Sequence, residues 1–272
     1  MFPGAAADRT DADYALVGAP LDATTSFQPG TRFGPREVRH AAGGFEDFDR
    51  RTGRSFSDLA VHDHGDVRPR ADVEEYLDYL RGTVADCASD GMVPLVVGGE
   101  HTVSLAAVRA LDPDVAVVLD AHLDLRETYA GAETSHATVT RRLLAVVDEV
   151  LVLGARAGSQ AGWERAEAGD VTVVEPGEVT EWVADPGPTL DGDIYLSVDI
   201  DAADPGYAPG TGTPEPFGLE PATMRDVVRT VAPRVAGFDV VEVNDRDDGQ
   251  AATLAAKLLR EFVFAHAAGP DA

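Results

Sequence analysis

Four segments of this 272-residue chain each end an apolar run in groups able to hold a metal or move a proton. "VPLVVGGEHT" brings His101, and "VAVVLDAHLD" brings Asp120, His122 and Asp124. "IYLSVDIDAADP" brings Asp199, Asp201 and Asp204, and "FDVVEVND" brings Glu242. A carboxylate set directly after a buried run is costly unless something offsets its charge. Singly, each position has an ordinary explanation. A strand-end Asp caps a helix, a buried His is hydrogen-bonded core, and Asp204, before Pro205, reads as a turn residue. Jointly these explanations fail, because several uncompensated acids on one edge repel. Four carboxylates and two imidazoles instead suit two divalent cations, whose charge the four acids cancel. Mixed oxygen and nitrogen ligation points to Mn²⁺ or Fe²⁺ rather than a structural zinc. Asp120 and Asp199 each begin a D-x-[HD] pair, so each could bridge the two ions.

Such convergence needs a scaffold. Apolar, β-branched runs begin at Tyr14, Leu59, Val93, Val115, Glu149, Val171, Ile194 and Val235. Helical patterns cover 73–89, 102–111, 135–147, 221–232 and 250–267. Strands apolar on both faces, joined by helical crossovers, predict an α/β fold with a mostly parallel sheet covered on both sides. In such a sheet all four polar strand ends lie on the carboxyl edge, where open α/β folds build their sites. Alternation along a strand would put Asp120 and His122 on one side, and Asp199 and Asp201 likewise. The Gly/Pro clusters "FQPGTRFGP" and "DPGYAPGTGTPEPFG" read as ordered loops, and residues 1–272 read as one domain.

The net charge of −26 argues against nucleic acid and anionic membranes as partners. Lys257 is the single lysine. Self-repulsion of this size is tolerable where salt screens it, which predicts a salt-rich cytoplasm. Cys87 is the only cysteine, falls in a helical pattern and reads as core, consistent with a reducing compartment. The amino terminus lacks a signal-peptide pattern, and no apolar run approaches the ~18 residues of a membrane span. A cytoplasmic protein is expected.

"GGEHT", "DAHLD" and "SVDIDAADP" resemble the three signature blocks of the ureohydrolases, the family of arginase and agmatinase. The resemblance runs from "GAPLDATTSFQPGTRFGPREVR", closest to the agmatinase branch, to "VVEVN" and "TLAAKLL". It implies a three-layer α/β/α sandwich with a parallel eight-stranded sheet, trimeric or hexameric assembly, and two Mn²⁺ per chain. His101, Asp120, Asp124 and Asp199 would surround one ion, and Asp120, His122, Asp199 and Asp201 the other. His136, in "ETSHATVTRR", matches the family's catalytic histidine, although Ala137 stands where Gly often follows. "GGEHT" departs from the commoner "GGDHS", and "EVND" lacks a proline that commonly follows Asn. His62 and His64 in "VHDHGD" read as the end of an ordinary strand rather than ligands. Arg156 reads as a structural ion pair, and Arg141 and Arg142 as facing solvent or a neighbouring subunit.

Two divalent ions can hold hydroxide near neutral pH. That hydroxide leaves the site with net negative charge, which favours a cationic substrate. A guanidinium fits, because the carboxylate of Glu242 can fix it while His136 protonates the leaving amine. Agmatine, giving putrescine and urea, is the expected substrate. Guanidinobutyrate, aminopropylagmatine and formiminoglutamate stand as alternatives within the family. A two-metal phosphoesterase would want basic residues beside its phosphate, and a non-catalytic metal protein would not need His136 and Glu242. The stretch Leu125, Arg126, Glu127, Thr128, Tyr129 does not match the pattern of amide and hydroxyl side chains with which arginases receive an α-amino acid. Arg126 could attract a carboxylate, with Glu127 beside it to offset that pull.

Overall fold

The computed structural model describes residues 1–185 and 192–269. Among these, the strands are β1 (Tyr14–Ala19), β2 (Phe48–Asp49), β3 (Arg54–Ser55), β4 (Val61–Asp66) and β5 (Val93–Gly98). They continue with β6 (Val115–Leu119), β7 (Glu149–Leu153), β8 (Val171–Val174), β9 (Ile194–Asp199) and β10 (Val235–Val241). The pair β2–β3 is a small antiparallel ribbon. The other eight strands form one sheet in the order β4-β1-β5-β10-β9-β6-β7-β8, with every pairing parallel. These are the eight runs expected from their hydrophobicity.

The helices are α1 (Gly34–Ala41), α2 (Val73–Ser89), α3 (Val103–Leu111), α4 (Val139–Leu143), α5 (Gln160–Ala166), α6 (Val179–Ala184), α7 (Pro221–Val231) and α8 (Gln250–Ala268). Alternate residues of the strands feed two separate cores. Leu95, Val97, Leu196, Val198 and Phe238 pack under α1, α6, α7 and α8. Val96, Ala116, Val118, Tyr195 and Val241 pack under α2, α3 and α4. Burial on both faces is why these strands are apolar without a polar side. The result is three layers, α/β/α.

Two local expectations change. "FQPGTRFGP" is not all loop: Thr31–Phe33 is a 3₁₀ turn that leads directly into α1 at Gly34. Pro35 is compatible with the first turn of α1, where a missing N–H costs no intrahelical bond. The helix expected over 135–147 is shorter and broken. His136–Thr138 is a 3₁₀ turn and only 139–143 is α-helical, because Ser135 and Thr138 cap each other's backbone at that point.

The four central strands β5, β10, β9 and β6 are neighbours, and their carboxyl ends carry the polar blocks side by side. Gly99, just past β5, lets a preceding loop reach this edge. A Cβ there would collide with the backbone of Leu21, and the Glu100 N–H bonds the Leu21 carbonyl at 2.7 Å.

Candidate metal centre and active site

Each D-x-[HD] pair is built by the same local device. The Asp120 Oδ1 accepts the N–H of His122 at 2.7 Å, and the Asp199 Oδ1 accepts the N–H of Asp201 at 2.9 Å. In both cases the strand is ending, so a turn folded over the first carboxylate, not the pleat, brings the second side chain back. The two blocks are then joined, since Asp201 Oδ1 accepts the Ala121 N–H at 3.0 Å.

The side chains converge on two overlapping groups. His101 Nδ1 lies 3.1 Å from Asp120, 3.3 Å from Asp124 and 3.5 Å from Asp199. His122 Nδ1 lies 2.9 Å from Asp201 and 3.6 Å from Asp120. His101, Asp120 and Asp124 can offer ligand atoms all within 4.8 Å of one another, as can Asp120, His122 and Asp201. Asp120 is common to both groups, and Asp199 stands beside the His101 group.

The His101 ring is fixed from behind. Its Nε2 is 3.2 Å from Ser197 Oγ, and that hydroxyl donates to Asp239 Oδ1 at 2.6 Å. Tyr195 O–H donates to the other Asp239 oxygen at 2.7 Å. With its hydrogen committed to Asp239, Ser197 offers its oxygen to an Nε2–H, which leaves Nδ1 bare toward the carboxylates. His101 Nδ1 and Asp120 Oδ2 are both buried and neither has a properly aligned hydrogen-bond partner. A lone pair facing a carboxylate needs something positive between them. The donor set of oxygens and imidazole nitrogens fits a divalent cation.

The electrostatics agree. Burial opposes charge on His101, but Asp120 and Asp124 outweigh it and push its pKa well above the ordinary histidine value. Burial likewise opposes charge on His122, yet Asp201 and Asp120 push it up to about 12. Burial and then the nearby Asp201, Asp120 and Glu242 raise Asp199 well above the usual carboxylate range. Burial also raises Asp124, with Asp120 adding to it. This is a cluster short of positive charge.

Glu242 holds the next position on the same edge. Its N–H bonds the Gly99 carbonyl at 2.8 Å, and its Oε1 accepts the His101 N–H at 2.9 Å. Its φ is +61° and that of Asp124 is +48°, left-handed values that side chains other than glycine rarely adopt. Two such residues in one site mark backbone held against its preference. Burial, assisted by Glu100 and Asp201, raises the Glu242 pKa well above the usual range.

His136 reaches the cavity from outside the sheet. Its Nε2 is 3.1 Å from Ser26 Oγ, and its ring meets Tyr129 edge-on at 5.4 Å. Ala137 is accommodated because this turn does not require positive φ there. Seven of the eight expected site residues line one cavity of about 330 Å³, and Asp120 is fully buried beside them. Arg126, Tyr129 and Glu215 line the same cavity.

The remaining expectations divide. His62 bonds the Ala7 carbonyl through Nδ1 and His64 faces Arg9, away from both ligand groups. Cys87 is buried core. Asp204 is a turn residue, accepting the N–H groups of Gly206, Phe217 and Gly218. Arg156 is a correction. Rather than pairing with an acid, its guanidinium bonds the carbonyls of Gly154, Asp201, Ala202, Ala203, Glu215 and Pro216. Its five donors face a loop crossing that presents carbonyl oxygens. Arg141 pairs with Glu127 at 3.0 Å, and Arg142 bonds the Glu127 and Glu133 carbonyls. Ser197 and Asp239 were not anticipated. A lone acid inside the apolar run "GFDVV" was the available signal.

The Arginase family model matches residues 12–265. The chain belongs to the arginase family. It is an enzyme of that family, a hydrolase acting on guanidino or amidino groups. It is similar to an agmatinase of Pyrococcus horikoshii, 35% identical over 93% of this chain and 91% of that protein. A guanidinobutyrase of Pseudomonas aeruginosa is 34% identical over 92% of this chain and 85% of its own length. The crystal structure of the agmatine ureohydrolase of Thermoplasma volcanium superposes with a TM-score of 0.93 at 32% identity. That match covers 98% of this chain and 94% of the other, so the two chains share one fold over nearly their whole lengths.

Proposed function

We propose that this arginase-family chain is a manganese-dependent agmatinase, converting agmatine and water to putrescine and urea. The observation that carries the reading is the bare, buried pair of His101 Nδ1 and Asp120 Oδ2 on a cavity shared with His136 and Glu242. His101, Asp120, Asp124 and Asp199 would hold one Mn²⁺, and Asp120, His122, Asp199 and Asp201 the other. The ions, when bound, supply hydroxide at neutral pH. Everything else falls to the side chains. Glu242, anchored on the His101 N–H, presents its carboxylate to the planar guanidinium and sets the orientation of its central carbon. His136 carries a proton at Nε2 to the departing amine, which leaves poorly unless protonated.

The far end of the substrate selects among guanidines. Glu215 lines the cavity, and among the described residues its carboxylate has no hydrogen bond or ion pair, so it can receive the distal ammonium of agmatine. A second reading has its own observation. Arg126 also lines the cavity, and Glu127, which was expected to offset it, is turned to Arg141 instead. A guanidino acid such as 4-guanidinobutyrate would place its carboxylate there.

Urea release from agmatine, arginine and 4-guanidinobutyrate in the Mn²⁺-loaded protein decides between them. Leaving the α-carboxylate of arginine unpaired beside Glu215 should favour agmatine by on the order of 10³ in kcat/KM. Comparable rates for agmatine and arginine would overturn the agmatinase reading, and preference for guanidinobutyrate would establish the second.

The same reading takes residues 1–272 as one domain and the protein as a cytoplasmic homo-oligomer, trimer or hexamer. Among the described residues no helix is long and apolar enough to cross a membrane. Phe27 and Phe217 are 69% and 87% exposed, which supports a subunit contact and is tested by mass in solution. The −26 charge supports a salt-adapted protein, so the melting temperature should rise between 0.1 M and 2 M KCl. Equal melting temperatures would count against salt adaptation.

A further inference from the structure

Glu100 belongs to none of the ligand groups, yet it is fully buried next to His101. Its carboxylate collects donors from two places. The Thr24 N–H and hydroxyl each reach it at 2.7 Å, the Thr25 hydroxyl at 3.4 Å, and the Thr102 hydroxyl closes the other side. Thr24 in turn holds His136. Its Oγ1 accepts the His136 N–H at 3.0 Å and lies 3.4 Å from the ring Nδ1.

Hydrogen bookkeeping gives this chain a direction. A carboxylate only accepts, so the single hydrogen of the Thr24 hydroxyl is committed to Glu100. Toward His136, Thr24 can then offer lone pairs alone. An Nδ1–H satisfies that contact, and a bare Nδ1 would set lone pair against lone pair. Ser135 Oγ also lies 3.4 Å from Nδ1 and keeps a hydrogen it could donate, so both tautomers are available in principle. Thr24 tips the choice. With the proton on Nδ1, Nε2 is bare toward Ser26 and the cavity, ready to take up a proton and pass it on.

We infer that Glu100 and Thr24 are positioning residues that hold His136 in the Nδ1–H tautomer and keep its Nε2 free for proton transfer. The inference rests on the reading of His136 as the proton shuttle, and it gives the Glu of "GGEHT" a task. A carboxylate behind a hydroxyl here does for His136 what Asp239 behind Ser197 does for His101.

The test uses the full-length, Mn²⁺-loaded protein with Thr24→Val, Thr24→Ser, Glu100→Gln and His136→Ala, singly and combined. Thr24→Val and Glu100→Gln should lower kcat ~10-fold or more, within the ~10²–10⁴-fold worth of acid–base help, while KM moves less than about twofold. Thr24→Ser, which keeps the hydroxyl, should restore most of the rate. Neither Thr24→Val nor Glu100→Gln should cost anything further in the His136→Ala background, because residues acting through one group are not additive. The ring ¹⁵N shifts of His136, read in the diamagnetic Zn²⁺-substituted protein, should move from Nδ1–H to Nε2–H in Thr24→Val as Ser135 takes over. Wild-type kcat and tautomer in Thr24→Val, or losses that multiply with that of His136→Ala, would overturn the relay. A His136→Ala protein with full activity would instead sink the shuttle reading, while the ¹⁵N shifts still judge the tautomer.

Discussion

The two histidines of the candidate metal centre flank Asp120 but are built on different plans. The His101 side chain is 1% exposed and backed by Ser197 and Asp239, which fix both its plane and its tautomer. The His122 side chain is 25% exposed, and its Nδ1 faces Asp201 and Asp120. On that half the bracing acts through the backbone instead, where Arg156 gathers the carbonyls of Asp201, Ala202 and Ala203. A ring locked by a buried relay loses little freedom when it binds an ion, whereas a partly exposed ring without such a relay must give up more motion and water. The His101 half should therefore hold its ion more tightly, and the His122 half should exchange.

The largest test of that comparison joins the halves rather than separating them. Asp120 belongs to both groups, so Asp120→Asn should strip both ions and lower kcat/KM by on the order of 10³ or more, about 4 kcal/mol. Metal content of the purified variant checks this, and two retained ions would refute a shared ligand.

Glu242 is anchored on the His101 half through that residue's N–H, but its proposed partner is the substrate. Glu242→Gln should therefore reduce kcat/KM by ~10²-fold, the cost of leaving a charge partner unpaired, with both ions in place. Loss of metal in this variant would make Glu242 part of the ion's support instead.

The smallest effect sharpens the contrast most. Asp239→Asn leaves a single oxygen to serve the hydroxyls of Ser197 and Tyr195 and so loosens the His101 tautomer, which should weaken one ion by ~10–100-fold and leave the other unchanged. Calorimetric titration resolves the two affinities. Equal weakening of both would show that the halves are not independently built.

Much of this site was legible in the chain before folding. Strands apolar on both faces, separated by helical stretches, dictate a parallel sheet, and a parallel sheet puts every carboxyl end on one edge. That reasoning alone brought His101, Asp120, His122, Asp124, Asp199, Asp201 and Glu242 to a common edge. Within each D-x-[HD] pair the meeting of the side chains was also local, although a turn rather than the pleat produces it.

Tertiary structure decided what those side chains present to one another. That β9 lies beside β10 is what sets Ser197 against Asp239, and hence which nitrogen of His101 is bare. The union of residues 24, 100 and 136 depends on a loop docking against Gly99, a contact that no periodicity encodes. Arg156 found carbonyls where an acid was expected, because the loop after Asp204 crosses over it. Hydrophobic period fixes which face of an element is buried, and it acts over neighbouring residues. The direction of a hydrogen bond depends on which atom arrives opposite, and that is settled only when distant segments pack.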